Sequence, residues 1–93
     1  MAAYAIFIRN SIKDADEMKI YGGKAVAARG DFKALAAYGP IETLEGEKSE
    51  GVVLLEFKTM DEAKAWYTSP AYQDALQHRL KGADYRVLLF QGL

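Results

Sequence analysis

The stretch Gly51 to Leu76, GVVLLEFKTMDEAKAWYTSPAYQDAL, decides the fold. Its first part, Val52 to Phe57, is a short apolar run rich in branched side chains. Successive side chains of a strand point to opposite faces, so a run apolar at nearly every step predicts a strand covered on both sides. Val53, Leu55 and Phe57 share one face; Val52, Leu54 and Glu56 share the other. Glu56 is the odd member, because an unpaired buried carboxylate is costly. It reaches solvent at the strand end, pairs with a cation, or lines a polar pocket.

Thr59-Met60-Asp61-Glu62 then reads as a capping box, a hydroxyl followed three residues later by a carboxylate. Ala63, Trp66 and Tyr67 follow at helical spacing and form one face. Thr68-Ser69-Pro70 stops this helix, since the residue before a proline is pushed out of the α region. Ser69 can cap a second helix with Pro70 at its first position, where the missing N–H costs nothing. Ala71, Ala75 and Leu76 give that helix an apolar side, with Tyr72 and Arg79 nearby.

Toward the N-terminus, Ala3 to Arg9 (AYAIFIR) predicts a first strand. Tyr4, Ile6 and Ile8 face one way, and Ala5, Phe7 and Arg9 the other. Asn10 to Lys13 makes a turn, and Asp14 or Ser11 caps a helix carrying Met18, Tyr21 and Ala25 on one stripe. Gly22-Gly23 is its weak point, at about 1 kcal/mol per glycine relative to alanine, and marks a kink or an early end. Gly30-Asp31 closes the helix. Phe32 to Tyr38 is a weaker, alanine-rich strand. Gly39-Pro40 interrupts it, which implies a sheet edge or a bulge. Ile41 to Leu44 resumes extended structure, and Glu45 to Gly51 is a polar hairpin loop. At the other end, Lys81-Gly82-Ala83 ends the last helix, with Gly82 as a left-handed cap. Tyr85 to Gln91 (YRVLLFQ) is the last strand, with Tyr85, Val87 and Leu89 on one face and Arg86, Leu88 and Phe90 on the other.

The order strand, helix, strand, strand, helix, strand is the α+β, ferredoxin-like βαββαβ arrangement, a single domain over residues 1–93. Its helices cover one face of an antiparallel sheet, yet three strands carry apolar residues on both faces. The uncovered face predicts a homodimer in which two sheets meet. A hydrophobic content of 51 % in 93 residues agrees, because so small a domain buries only roughly 60–65 % of its surface alone.

Phe57, Ala63, Trp66, Tyr67, Ser69, Pro70, Tyr72, Gln73 and Arg79 resemble the signature of the domain-of-unknown-function family DUF1330. That pattern is a strand ending Glu-Phe, a short helix ending Trp-Tyr-x-Ser-Pro-x-Tyr-Gln, and then an arginine. Tyr4, Asp14 and Tyr21, Glu45-Gly46 and Gly92 extend the likeness along most of the chain. The resemblance implies a dimeric α+β barrel, a superfamily that includes cofactor-independent monooxygenases, isomerases and dehydratases with pockets between sheet and helices. Family members often carry Arg-Gly-Gly after the second strand, where this chain has Ala37-Tyr38-Gly39.

Composition narrows the function. The formal net charge is −1, from 12 basic and 13 acidic side chains, so no basic field offers itself to nucleic acid. There is no cysteine and a single histidine, which excludes disulfides and thiolate chemistry and speaks against a zinc site or any other metal. No signal peptide or membrane span is evident, and a cytoplasmic protein without a cofactor is expected. Gly22-Gly23-Lys24 lacks the strand and loop of a phosphate-binding motif.

The candidate site residues are few. Tyr4, Trp66, Tyr67 and Tyr72, with Tyr38, form either a pocket wall or core and interface packing. Arg79 either clamps an anionic group or pairs with Asp84, Asp74 or Glu56. His78 is either a general acid or base or a solvated surface residue. Glu56 and Asp84 are either functional carboxylates or salt-bridge partners at the sheet end. The expected function is a small-molecule-binding dimer, with a cofactor-independent enzyme acting on a small carboxylate or aromatic compound as one form. Non-catalytic ligand binding and a purely structural dimer are the alternatives. The enzyme reading requires Arg79, Tyr67 and Glu56 to converge on one cavity.

Overall fold

A computed structural model describes residues 1–93. The elements run β1 (Ala3–Ile12), α1 (Ala15–Ala27), β2 (Lys33–Ala37), β3 (Gly51–Phe57), α2 (Met60–Tyr67), α3 (Pro70–Gly82) and β4 (Ala83–Gln91). The strands form one antiparallel sheet in the order β2-β3-β1-β4, with the helices on one face. This is the ferredoxin-like fold. No helix is long and apolar enough to cross a membrane.

The caps work as the residues suggest. Thr59 accepts from the Glu62 amide, and Ser69 from the Tyr72 amide with Pro70 in the first turn. Ser69 also donates to the Trp66 carbonyl at 2.7 Å, and the Gln73 amide side chain donates to the Tyr67 carbonyl at 2.7 Å. These bonds fix the angle between α2 and α3. Asp14 caps α1, accepting from the Asp16 and Glu17 amides.

Alternation separates the two faces of the sheet. Ala3, Ala5 and Phe7 of β1 and Leu55 and Phe57 of β3 are buried under the helices, where they meet Ala63, Tyr72 and Leu76. On the opposite face Tyr4 lies between Glu56 and Phe90, Ile6 between Leu54 and Leu88, and Ile8 between Val52 and Arg86. That stripe is apolar at its centre, with Glu56 and Arg86 toward its ends, and nothing in the chain covers it; Leu88 and Phe90 are exposed.

Five local expectations are corrected. β1 does not turn at Asn10 but runs to Ile12, because a register shift between Arg9 and Ser11 lets it keep pairing with β4. Gly22-Gly23 does not end α1, which runs on to Ala27. The helix has no buried residue, and it is pinned instead across the α1–α3 seam by Glu17 with His78, Tyr21 with Tyr72 and Lys24 with Asp74. The second strand is shorter than Phe32 to Tyr38 and exposed throughout, as an edge strand can be. Ile41 to Leu44 is not extended sheet: Tyr38 adopts φ 56°, turning the chain away, and Pro40 offers no amide to a ladder. Gly82 is not a left-handed cap, because α3 passes straight into β4. Its value is closeness, since a Cβ there would lie 2.9 Å from Met18 Cγ and 3.1 Å from the Asp14 carbonyl oxygen.

Candidate functional site

Helix α3 turns Tyr72, Ala75, Leu76 and Arg79 toward the sheet. Arg79 is only 4 % exposed. Its guanidinium carbon lies 4.9 Å from the ring centre of Tyr85, 5.7 Å from that of Phe7 and 5.8 Å from that of Tyr21. Ring faces attract cations through their quadrupole. No carboxylate joins them. The ion pairs of the chain are Arg9 with Glu50, Lys24 with Asp74, Lys58 with Asp31 and His78 with Glu17. Arg79 Nε is buried without a hydrogen-bond partner. A buried cation left without a countercharge costs stability, and such groups gather at functional sites.

Phenols surround this cation. The hydroxyls of Tyr21 and Tyr72 are 2.9 Å apart, and those of Tyr38 and Tyr85 are 2.5 Å apart. The Arg9 guanidinium stacks on the Tyr38 ring at 4.7 Å. Burial pushes the pKa of Tyr21 far above the ordinary phenol value, and the neighbouring Tyr72 pushes it further. Burial raises Tyr38 as well, helped by its bond to Tyr85. Tyr72 is raised by burial, against the opposing pull of its bond to Tyr21 and of the nearby Arg79. All three phenols therefore stay protonated near neutral pH and offer O–H donors.

Three of these tyrosines frame a hollow of about 220 Å³ between α1, α2 and the sheet, walled by Phe7, Tyr21, Tyr38, Leu55, Trp66 and Tyr72. Arg79 packs on two of the walls, Phe7 and Tyr21, and its charge acts on the phenols of Tyr21, Tyr38 and Tyr72. Trp66 closes one side. Its indole donates to the Ala28 carbonyl at 3.0 Å and lies 4.2 Å, centre to centre, from the Tyr72 ring. Beyond Trp66 a second hollow of about 280 Å³ opens between α2 and strands β1 and β4, lined by Ala5, Ala63, Tyr67, Val87 and Leu89 among others. It is apolar and holds no buried charge. A third, of about 460 Å³, lies at the sheet edge among Asp31, Lys33, Glu56 and Lys58.

The residues expected from the sequence fall into separate places. Tyr72 and Trp66 line the first hollow, while Arg79 does not line it and packs against two of its wall residues, Phe7 and Tyr21. Tyr67 lines the second, with its ring centre 5.4 Å from that of Tyr72. Tyr4 and Glu56 face each other across β1 and β3 on the opposite side of the sheet. Arg79, Tyr67 and Glu56 do not share a cavity. His78 Nδ1 is bound to Glu17 Oε2 at 2.6 Å on the α1–α3 seam. Asp84 is exposed at the start of β4, opposite Ser11, and Asp74 takes Lys24 rather than Arg79. No group of three or more His, Asp or Glu side chains gathers where it could hold a metal ion.

Tyr85 and Arg9 belong to the cluster and were not singled out from the sequence. The available signal was a polar tip on an inward stripe: Tyr85 shares its face with Val87 and Leu89, and Arg9 with Ala5 and Phe7.

The model of a family described as a domain of unknown function, DUF1330, matches residues 2–93. No curated protein matches the chain in sequence. Among solved structures, it is similar to a protein of unknown function from Rhodopseudomonas palustris, at 15 % identity and a TM-score of 0.71, over 99 % of this chain and 83 % of that one. It is similar to a dimeric ferredoxin-like protein of unknown function from Thermobifida fusca, at 14 % identity and a TM-score of 0.66, over 99 % and 92 %. It is also similar to SnoaB, a cofactor-independent oxygenase from Streptomyces nogalater, at 10 % identity and a TM-score of 0.64, over 99 % and 92 %. At such identities these likenesses establish the fold.

Proposed function

The chain belongs to the DUF1330 family, and on that premise we propose that it is a homodimer that binds a small organic anion in the hollow under α1. The observation that carries this reading is Arg79, a buried cation with no carboxylate, packed on the walls of a hollow lined by protonated phenols. The tyrosine hydroxyls supply hydrogen bonds to the anion, and Arg79 supplies the positive field that favours it over a neutral molecule.

Binding is favoured over proton-transfer chemistry by the placement of the titratable groups. His78 is tied to Glu17, and Glu56 is on the other face of the sheet. A catalytic form would rely on oxyanion stabilisation by Arg79 and the phenols, without a general base. The dimer is supported by the bare apolar stripe of Ile6, Leu54 and Leu88, and by the description of the Thermobifida fusca neighbour as dimeric.

The test is a thermal-shift panel of small carboxylates, phenols and quinones on the wild type and on Arg79→Gln. The reading expects a carboxylate that raises the melting temperature only when Arg79 is present. Shifts of equal size in both proteins would contradict it.

A further inference from the structure

Resting on the reading above, we infer that the ligand is a planar acid of about one ring that enters already ionised, its anionic oxygens meeting the Tyr21–Tyr72 hydroxyl pair.

Size sets the first limit. The hollow holds about 220 Å³. Drug-sized ligands fill roughly 300–1,000 Å³, while a cavity of about 150 Å³ admits benzene. The hollow opens to solvent on one side, so this volume bounds the buried part of the ligand, which one ring with a small substituent fills. Trp66 sets the stop, since its anchored indole separates this hollow from the apolar one beyond it. The walls of Phe7, Tyr21, Tyr38, Trp66 and Tyr72 favour a flat body.

Proton inventory sets the second limit. Within the Tyr21–Tyr72 pair one hydroxyl donates to the other, which leaves one O–H free for the ligand. Around the pair every carboxylate is engaged elsewhere or remote. From α1, Glu17 faces His78 and Lys24 faces Asp74; from β1, Arg9 faces Glu50; from β4, Tyr85 faces Tyr38. No carboxylate or imidazole lines the hollow. A ligand that had to lose a proton on entry would find no group to take it. One that arrives as an anion finds a donor and, from behind the walls of Phe7 and Tyr21, the field of a cation with no paired carboxylate.

The test uses three one-ring probes at neutral pH, benzoate, its neutral isostere benzamide, and phenol, followed by calorimetry. A fourth, para-nitrophenol, reports its own ionisation by visible absorbance. Benzoate is expected to bind at least about tenfold more tightly than benzamide or phenol in the wild type. Bound para-nitrophenol is expected to show the phenolate spectrum at a pH where the free compound is mostly neutral. Arg79→Met removes both effects, and Tyr21→Phe weakens benzoate by a larger factor than benzamide. Equal affinity for benzoate and benzamide, with para-nitrophenol bound in its neutral form, would overturn the inference and leave the cavity reading in place. No binding by any probe to the folded protein would overturn the cavity reading and this inference with it.

Discussion

The guanidinium of Arg79 lies 4.9 Å from the ring centre of Tyr85, with neither Asp74 nor Asp84 paired to it. Tyr85 in turn shares a 2.5 Å hydroxyl contact with Tyr38, which stands at the hollow's rim. One cation is thus coupled through phenols to the space where a ligand would sit.

The first prediction concerns alkaline pH. Tyr21, Tyr38 and Tyr72 all have raised pKa values in the folded chain. A raised pKa contributes stability that is complete below the unfolded value, about 10 for tyrosine, and is lost as pH rises toward the folded one. Above pH 10 the unfolded chain ionises while the folded one resists, so the more buried Tyr21 and Tyr72 cost up to about 1.4 kcal/mol per pH unit each, and Tyr38, 44 % exposed, costs less because solvent screens it. Denaturant unfolding between pH 8 and about pH 11.5 should show stability flat to pH 10 and falling beyond it. Tyr72→Phe should make that fall shallower. An unchanged slope in the variant would remove Tyr72 from the set.

Gly51 is where Tyr38 leans on β3. A Cβ at Gly51 would lie 2.6 Å from Tyr38 Cδ1. Gly51→Ala should push the ring aside, break its contact with Tyr85 and cost about 1–3 kcal/mol. Tyrosine fluorescence and benzoate affinity should both change. A variant as stable as the wild type, with unaltered affinity, would show that Tyr38 moves freely.

The open sheet face gives a third prediction. Ile6 sits at the middle of the stripe, opposite Leu54 on one side and Leu88 on the other. Ile6→Glu would place a carboxylate at the centre of an apolar interface. Sedimentation should show a dimer for the wild type at micromolar concentration and a monomer for the variant, with helix content retained. A wild-type monomer would contradict the proposed interface.

Much of the fold was legible because its signals are local. Thr59, Ser69-Pro70 and Asp14 are caps that need only their own neighbours, and alternation in β1, β3 and β4 assigned the two faces correctly. The errors lie where tertiary contacts overrule propensity. Gly22-Gly23 stays helical because α1 is pinned to α3 by side chains of Glu17, Tyr21 and Lys24. Gly82 serves a close approach to Met18, which no local pattern reveals. The site is less legible still. Tyr21 and Tyr72 are 51 positions apart, and Tyr38 and Tyr85 are 47. The sequence marks Arg79 through its match to the family pattern, but its lack of a carboxylate is a fact about the whole packed chain.

The most direct test of the central claim is the melting temperature of Arg79→Met, with and without benzoate. Methionine keeps much of the length and removes the charge. Removing a buried charge that has no countercharge relieves its desolvation cost. The unliganded variant should therefore melt at or above the wild-type temperature, and benzoate should no longer raise it. A variant that melts well below the wild type and still gains the full benzoate shift would make Arg79 a structural residue and contradict the anion site.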